Sequence, residues 1–233
     1  EMTQPDRQAT FEVQLADTIT PGFYPMSLVT EKGVSPPVVV AVDRLTQKLF
    51  NTPVESLPVA LHGSLTGAGI VEVPFTGKAN QKITIEVESQ RIGSKLRPVV
   101  HLWNAKKLQL AWAWSSPSLS GDVRLEFTLP EDGKYFVTLH DLEYAGPAPG
   151  NYRLKIGQWS YIDQVFPPMI GKGSAPVVEM IGSTVGKLNV ASQPSIVALD
   201  WPKDGLWSGP RPFVRTSPDI ELVEQSTAEP QLL

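Results

Sequence analysis

The sequence predicts an all-β protein, and three observations support this fold class. Apolar and polar residues alternate with a period of two through much of the chain, as in strands that bury one face. Proline occurs 22 times and glycine 18 times in 233 residues, and this density of breakers leaves little room for long helices. Turn signals separate the alternating segments at roughly the 8–12 residue spacing that is typical of sandwiches and barrels. We therefore expect less than a tenth of the chain to be helical.

The alternation is clearest in five segments, residues 11–15, 83–88, 123–129, 135–139 and 152–156. Two longer segments without glycine or proline, residues 78–92 and 99–116, also need an assignment. The first alternates strictly and is rich in β-branched residues, so it predicts a strand. The second predicts a hairpin with a polar turn at residues 104–107.

The chain divides into four parts by composition and pattern. Residues 1–47 hold two or three strands, residues 48–158 form the best-patterned block, residues 159–225 carry shorter strands, and residues 226–233 form a polar tail. The N-terminal part has too few strands to be stable alone. We therefore expect its strands to pack against a small sheet unit formed by residues 159–225.

Composition and charge exclude several classes of protein. The 24 acidic and 20 basic side chains give a net charge of −4, which is too small to attract nucleic acid or an anionic membrane surface. No run approaches the 18 apolar residues that a membrane-spanning helix needs. The absence of cysteine excludes disulfide scaffolds, thiolate catalysis and thiolate-bound metals. The chain opens on Glu1 without a signal peptide, so we interpret it as a processed product or a piece of a longer protein.

A motif in the central block resembles a known family. Residues 121–135 read GDVRLEFTLPEDGKY, residues 137–142 read VTLHDL, and residues 152–156 read YRLKI. This Phe-Thr-x-Pro-x-Asp-Gly-x-Tyr strand pair, closed by a Tyr-Arg-Leu strand, is similar to the bacterial pre-peptidase C-terminal domain. Residues 91–96, RIGSKL, fit the variant that is common in large exported proteins of planctomycete-like bacteria. The resemblance covers about half of the chain well and the flanks loosely.

The resemblance implies a jelly-roll-like β-sandwich over residues 48–158. It also implies that the flanks, residues 1–47 and 159–225, belong to small immunoglobulin-like segments. Members of the family are non-catalytic appendages of exported enzymes, and some bind collagen, carbohydrate or calcium. An exported location, whether periplasmic, cell-surface or secreted, follows from the same resemblance.

Nucleophilic catalysis has one candidate arrangement in the sequence. His62 lies two residues before Ser64, and Asp122 or Asp141 would orient the base, because a triad is defined by geometry and not by chain order. The G-x-S-x-G nucleophile elbow is absent. We favour a polar turn that enters a strand, and we predict no catalytic residue and no cofactor.

Histidines and paired carboxylates are the other candidates for chemistry. His62, His101 and His140 lack metal-binding spacing, so we expect surface or hydrogen-bonded histidines and predict no metal site. Glu86 and Glu88 share one strand face about 7 Å apart. Because the opposite face of that strand is apolar, we expect both glutamates to be solvated and not to form an acid/base pair.

Three tryptophans are the candidates for binding. Trp103, Trp112 and Trp114 lie in one predicted hairpin, and an exposed strip of indoles would suit stacking on sugar rings or on a protein partner. Leu108 and Leu110 fall on the same predicted face, so burial of the hairpin in the core is the simpler interpretation. The exposed platform is the alternative.

Calcium is expected to be absent from this copy of the domain, although the family it resembles sometimes binds it. Relatives place acidic residues where this chain has Gly69, Val71 and Arg97. Asp122 and Asp141 keep their family places, but two carboxylates do not supply the six to eight oxygen ligands that calcium takes. We expect both to accept backbone hydrogen bonds in turns.

The sequence therefore predicts a non-catalytic binding or adhesion module of an exported multidomain bacterial protein. The alternative is a structural spacer or an assembly subunit of a cell-surface or periplasmic complex. A hydrolase is a third hypothesis, with less support in the sequence. The expected partner is a protein or a carbohydrate, within a larger chain or complex. Exposure of Trp112 and Trp114 separates a binding module from a spacer.

Overall fold

The computed structural model describes residues 12–171, 177–183, 186–190, 196–202 and 205–219. Nineteen strands run through these residues, with two short 3₁₀ turns at Gln90–Ile92 and Pro117–Leu119. The described part of the chain holds no α-helix and no helix long and apolar enough to cross a membrane. The predicted all-β class is confirmed. The tail at residues 226–233 lies outside the described residues.

The N-terminal region contributes five short strands. These are β1 (Gly22–Met26), β2 (Val29–Thr30), β3 (Gly33–Val34), β4 (Val38–Val42) and β5 (Thr46–Leu49). Strands β1 and β4 pair antiparallel around the small β2–β3 hairpin. The strand predicted at residues 11–15 is wrong for its described part: residues 12–15 form no strand, and Val13 and Leu15 are exposed. Alternation alone does not supply the neighbouring strand that a ladder requires.

The central block forms a β-sandwich of two sheets. Its strands are β6 (Val59–Ser64), β7 (Ile70–Gly77), β8 (Lys82–Glu88), β9 (Pro98–Asn104), β10 (Gln109–Trp114), β11 (Val123–Thr128), β12 (Gly133–Asp141) and β13 (Asn151–Gly157). One sheet has the order β10-β9-β12-β7, and the other has the order β11-β8-β13-β6-β5. The predicted strand within residues 78–92 and the predicted 99–116 hairpin are both present.

Alternating side chains from both sheets fill one core. Strand β7 alternates exposed and buried along its whole length, with Val71, Val73 and Phe75 turned inwards. Strand β8 supplies Ile83 and Ile85 from the facing sheet. The boundary proposed at residue 47 falls inside β5, which pairs parallel with β6 and so extends the second sheet.

The C-terminal region has two three-stranded sheets and a second small core. Its strands are β14 (Ile162–Phe166), β15 (Met169–Ile170), β16 (Val177–Gly182), β17 (Gly186–Asn189), β18 (Ile196–Ala198) and β19 (Phe213–Thr216). The sheets have the orders β14-β16-β17 and β15-β19-β18. Val178, Val214 and the stacked pair Trp201 and Trp207 belong to the core between them.

The N-terminal strands contact the C-terminal region. Trp201 Nε1 donates a hydrogen bond of 2.7 Å to the carbonyl oxygen of Pro21. Ser208 Oγ donates to Asp43 Oδ2 at 2.5 Å. Contacts of this kind are expected if the N-terminal strands pack against the unit formed by residues 159–225. That the flanks form immunoglobulin-like units remains a prediction.

Candidate functional site

The outer face of the four-stranded sheet carries an open cluster of aromatic side chains. In the edge strand β10, Ala111 and Ala113 pack towards the core, so the alternating Trp112 and Trp114 turn outwards. Trp112 is 53% exposed and Trp114 is 59% exposed. We call the surface formed by the following residues the aromatic face: His101, Trp103, Trp112, Trp114, Phe136, His140 and Tyr144.

Burial of this hairpin in the core, the simpler interpretation of the sequence, is wrong for Trp112 and Trp114. That interpretation assumed that Leu108 and Leu110 are buried on the same face as the tryptophans. The strand register shifts across Leu110, and such a bulge interrupts the alternation. Leu110 therefore packs against the core, whereas Leu108 is exposed together with the indoles.

His101 lies at the centre of the aromatic face. Its ring stacks with Trp103 at a centroid distance of 5.7 Å and with Trp112 at 6.4 Å. Trp112 in turn meets Trp114 edge to face at 5.9 Å. Trp103 Nε1 donates to Thr138 Oγ1 at 3.0 Å, which orients the half-buried indole against the sheet. All three candidate tryptophans therefore lie on one surface.

The aromatic face continues onto the neighbouring strand β12. The Nε2 atoms of His140 and His101 lie 3.1 Å apart, and Tyr144 stacks on His140 at 4.4 Å with nearly parallel rings. Lys107 Nζ lies 3.5 Å from the ring centroid of Phe136. Ring faces with polar groups at their edges can contact apolar and hydroxyl surfaces of one ligand at the same time.

The outer face of the five-stranded sheet has the opposite character, because it is charged and buried. Glu86 and Glu88 are both fully buried. Arg91 and Arg124 each donate to Glu86 at 2.7 Å, and Lys155 Nζ lies 2.6 Å from Glu88 Oε1. The expectation that these two glutamates are solvated is therefore wrong.

Side chains from the C-terminal flank cover this charged face. The ring of Tyr161 lies 3.5 Å from the Arg124 guanidinium, and the ring of Trp159 lies 5.0 Å from Lys155 Nζ. Lys155 also donates to Ser208 Oγ at 2.9 Å. The alternation of β8 correctly separates its two faces, but it does not reveal that both are covered.

Asp43 joins the N-terminal strands to the same charges. Its Oδ2 lies 2.6 Å from Arg153 Nη2, while Arg153 Nη1 donates to Glu88 Oε2 at 2.8 Å. Burial acts to raise the pKa of Asp43, but the charge and hydrogen bond of Arg153 outweigh it and hold the pKa below its usual value. We call the following residues the buried charge cluster: Asp43, Glu86, Glu88, Arg91, Arg124, Arg153 and Lys155.

Glu86 shows the electrostatics of this cluster most clearly. Burial raises the pKa of its carboxyl group, and the charges of Lys155, Arg91 and Arg124 lower it by more. The net result is a carboxylate whose pKa lies well below the usual range of glutamate. Each buried charge in the cluster thus has oppositely charged neighbours, as buried ions require.

The candidate catalytic residues His62 and Asp122 have other direct hydrogen-bond partners and do not bond to each other. His62 Nε2 contacts Gln47 Oε1 at 2.7 Å, and burial, followed by the Arg153 charge, lowers its pKa. Asp122 accepts from the backbone N–H of Ser89 at 2.9 Å. A Cβ atom on Gly63 would lie 2.3 Å from Tyr152 Oη, so close packing accounts for the glycine between His62 and Ser64.

The positions that bear on calcium are also accounted for by hydrogen bonds and ion pairs. Asp122 Oδ2 accepts from Arg91 Nε at 2.6 Å. Asp141 accepts from the backbone N–H groups of Arg97 and Glu143, as the turn prediction expected, and the Arg97 side chain pairs with Glu143. Burial raises the pKa of Asp141, but these hydrogen bonds hold it below its usual value. Within the described ranges, no group of three or more His, Asp or Glu residues is placed to hold a metal ion.

The solved structures that are similar to about half of this chain include the following three. One is the pre-peptidase C-terminal domain of a collagenase from Bacillus anthracis, with 15% identity and a TM-score of 0.35. The match covers 50% of this chain and 98% of the collagenase domain. A periplasmic lysozyme inhibitor of g-type lysozyme from Aeromonas hydrophila matches at 17% identity and TM-score 0.35, with the same coverage. A mutant of the Escherichia coli inhibitor matches at 14% identity and TM-score 0.32, over 49% of this chain and 98% of its own.

No family model matches the sequence, and no curated protein matches it. The aromatic face and the buried charge cluster therefore have to be interpreted from their own chemistry.

Proposed function

We propose that the protein is a non-catalytic binding module of an exported multidomain bacterial protein, and that it binds a carbohydrate chain on the aromatic face. The side-by-side exposure of Trp112 and Trp114 on an edge strand carries this proposal. Export, and membership of a longer chain, rest on the resemblance of the central motif to the pre-peptidase C-terminal domain.

The chemistry of the aromatic face favours a neutral, hydroxyl-rich ligand. Contiguous apolar patches rimmed by polar groups mark interaction surfaces on soluble proteins. Indole rings stack on the apolar C–H faces of sugars, while a side-chain amide such as that of the exposed Gln109 can hydrogen-bond hydroxyl groups. Lys107, whose charge lies over this face, is paired with Glu72 at 2.7 Å. Lys107 therefore has no unpaired charge to offer to an ionic partner.

A binding panel tests this proposal directly. The folded chain is screened against an array of bacterial and matrix glycans and against immobilised collagen and other matrix proteins. We expect saturable binding to at least one glycan class, and loss of at least tenfold in affinity for Trp112→Ala and Trp114→Ala. Phe213→Ala is the matched control, because Phe213 is an exposed aromatic residue of β19, away from the aromatic face.

Three outcomes would count against the proposal. Binding to proteins with none to glycans would replace the carbohydrate by a protein partner. Equal loss of glycan binding in Phe213→Ala would show that the effect is not specific to the aromatic face. Absence of binding to both arrays would favour the second candidate, a structural spacer.

The buried charge cluster is the observation that favours a spacer as the second candidate. Asp43, Arg153 and Ser208 connect the N-terminal strands, the sandwich and the C-terminal region through hydrogen bonds of 2.5–2.6 Å. Such contacts fix orientation, which a spacer between other domains requires. A spacer would retain its function in the Trp112→Ala and Trp114→Ala variants.

A further inference from the structure

We propose that His101 and His140 form a two-histidine site for a divalent first-row transition-metal ion at the edge of the aromatic face. The pair is brought together by antiparallel pairing of β9 and β12, in which His101 lies opposite Thr138. Because His101 and His140 are 39 residues apart, their spacing in the sequence gave no sign of a metal site.

The distance between the two imidazoles suits one shared metal ion. Their Nε2 atoms are 3.1 Å apart, and the ring planes differ by 23°. A metal ion bound by two imidazole nitrogens at about 2.0–2.1 Å, with bond angles between square-planar and tetrahedral values, places those nitrogens about 2.8–3.4 Å apart. The observed separation falls inside this interval.

The other ring nitrogens indicate which atoms are free to bind a metal. His140 Nδ1 lies 2.9 Å from the carbonyl oxygen of Asp141, which can only accept, so Nδ1 carries the hydrogen and Nε2 of the neutral ring carries a lone pair. His101 Nδ1 lies 2.8 Å from Gln109 Oε1, and it donates to that oxygen in this orientation of the Gln109 amide. The two Nε2 lone pairs therefore lie 3.1 Å apart. A metal ion about 2.0–2.1 Å from each nitrogen would lie beside the line that joins them, because the midpoint of that line is only about 1.6 Å from either atom.

The surroundings resemble the outer shell of a metal site more than that of an isolated histidine pair. Metal-binding histidines almost always donate their second N–H to a carbonyl, a carboxylate or water, which fixes the tautomer and the ring orientation. Tyr144 stacks on His140, and Trp103 and Trp112 stack on His101, so both rings are held in place. His101 is half-buried, and this leaves a route from solvent.

The donor set defines the class of metal. Two imidazoles without a carboxylate suit nickel, copper or zinc and do not suit calcium or magnesium, which prefer oxygen ligands. The remaining coordination positions would be taken by water or by a donor atom of a ligand on the aromatic face. Metal binding by the protein alone does not depend on that ligand, so this proposal can fail or succeed independently of the proposed function.

The test is a calorimetric titration of the tag-free protein with Ni²⁺, Cu²⁺ and Zn²⁺, each in a separate experiment. We expect one saturable site with wild-type protein, and at least tenfold weaker binding in His101→Gln and in His140→Gln. His62→Gln is the matched control, since the chain has three histidines and His62 lies on β6 of the other sheet. Thermal melting of each variant establishes that it is folded.

Electron paramagnetic resonance of the Cu²⁺ complex gives a second readout. Two coordinated imidazole nitrogens are expected in wild type and in His62→Gln, and one in either single variant of the pair. Absence of saturable binding up to about 1 mM metal would overturn the proposal and leave only a hydrogen bond between the two rings. Unchanged binding in both His101→Gln and His140→Gln, or its loss in His62→Gln, would also overturn it.

Discussion

The two outer faces of the sandwich differ in a way that reverses the usual expectation for strands. The four-stranded sheet exposes Trp112 and Trp114, whereas the five-stranded sheet buries Glu86 and Glu88. Both faces obey the period of two, so the inward set is predictable on each. What differs is the cover: flanking segments pack over the charged face, and no described residue covers the two indoles. Alternation therefore identifies which residues of a strand point away from the core, but it does not predict whether solvent or another segment covers them.

Removing one partner of the buried charge cluster is expected to give the largest effect. Arg153→Met leaves Glu88 and Asp43 without the guanidinium that lies 2.6–2.8 Å from each. Breaking a buried ion pair in this way costs about 3–5 kcal/mol, because the remaining charge stays desolvated. Urea unfolding of wild type and variant measures the difference.

The matched control for this variant is an ion pair at the surface. Lys107→Met removes a partner of Glu72, and both side chains of that pair are about half exposed. Exposed pairs contribute about 0–1 kcal/mol. If the two variants lose the same free energy of unfolding, the charge cluster is solvated in solution and the contrast between the faces does not hold.

Acid pH provides the next largest effect on the same face. The pKa values of Glu86 and Asp43 lie below their usual values of 4.5 and 3.8. The unfolded chain therefore binds more protons than the folded chain once the pH falls below about 5. The free energy of unfolding should be highest above that pH and should fall steadily towards pH 2, as measured by denaturant unfolding at several pH values.

The tryptophans provide the comparison for this acid effect. Trp112→Ala removes no carboxylate, so its stability should fall with acid along the same curve as wild type. A stability that stays constant between pH 7 and pH 3 in wild type would contradict the assignment of buried, ionised carboxylates.

Much of the fold was predictable from the sequence, but the cover over each face was not. The apolar sets of β7 and β8, the hairpin turn at residues 104–107 and the all-β class follow from local pattern. The burial of Glu86 follows from strand order: Arg124 and Lys155 are its direct cross-strand neighbours, and opposite charges on three adjacent strands indicate a joint network. That signal becomes visible only once strand order is known.

The exposed indoles were harder to predict, for a different physical reason. The register shift across Leu110 separates this residue from Leu108, and a bulge of this kind has no reliable signature in one sequence. Likewise, the meeting of His101 and His140 depends on the register between β9 and β12. Contacts between strands far apart in the chain are set by the whole sheet and not by local composition.

A smaller effect on stability is expected on the aromatic face. Trp112→Ala and Trp114→Ala each remove a side chain that is more than half exposed, so each should change the free energy of unfolding by less than about 1 kcal/mol. Urea unfolding measures this loss, and its comparison with the loss in Arg153→Met gives the difference in free energy of unfolding between the two faces. A loss above about 3 kcal/mol for either tryptophan would mean that the indole is part of the core.

The smallest effect is expected from calcium, which should change the melting temperature of neither the wild-type protein nor its variants. A ligand that binds the folded state at one hundred times its Kd adds about 2.7 kcal/mol of stability, so a melting curve in 10 mM calcium detects a site with a Kd near 10⁻⁴ M. Asp122 already accepts from Ser89 and Arg91, and Asp141 from backbone N–H groups, with Arg97 beside it. These carboxylates would have to give up hydrogen bonds before they could bind an ion. A calcium-dependent rise in melting temperature that Asp141→Asn abolishes would show that they do, and that the turn around Asp141 rearranges on binding.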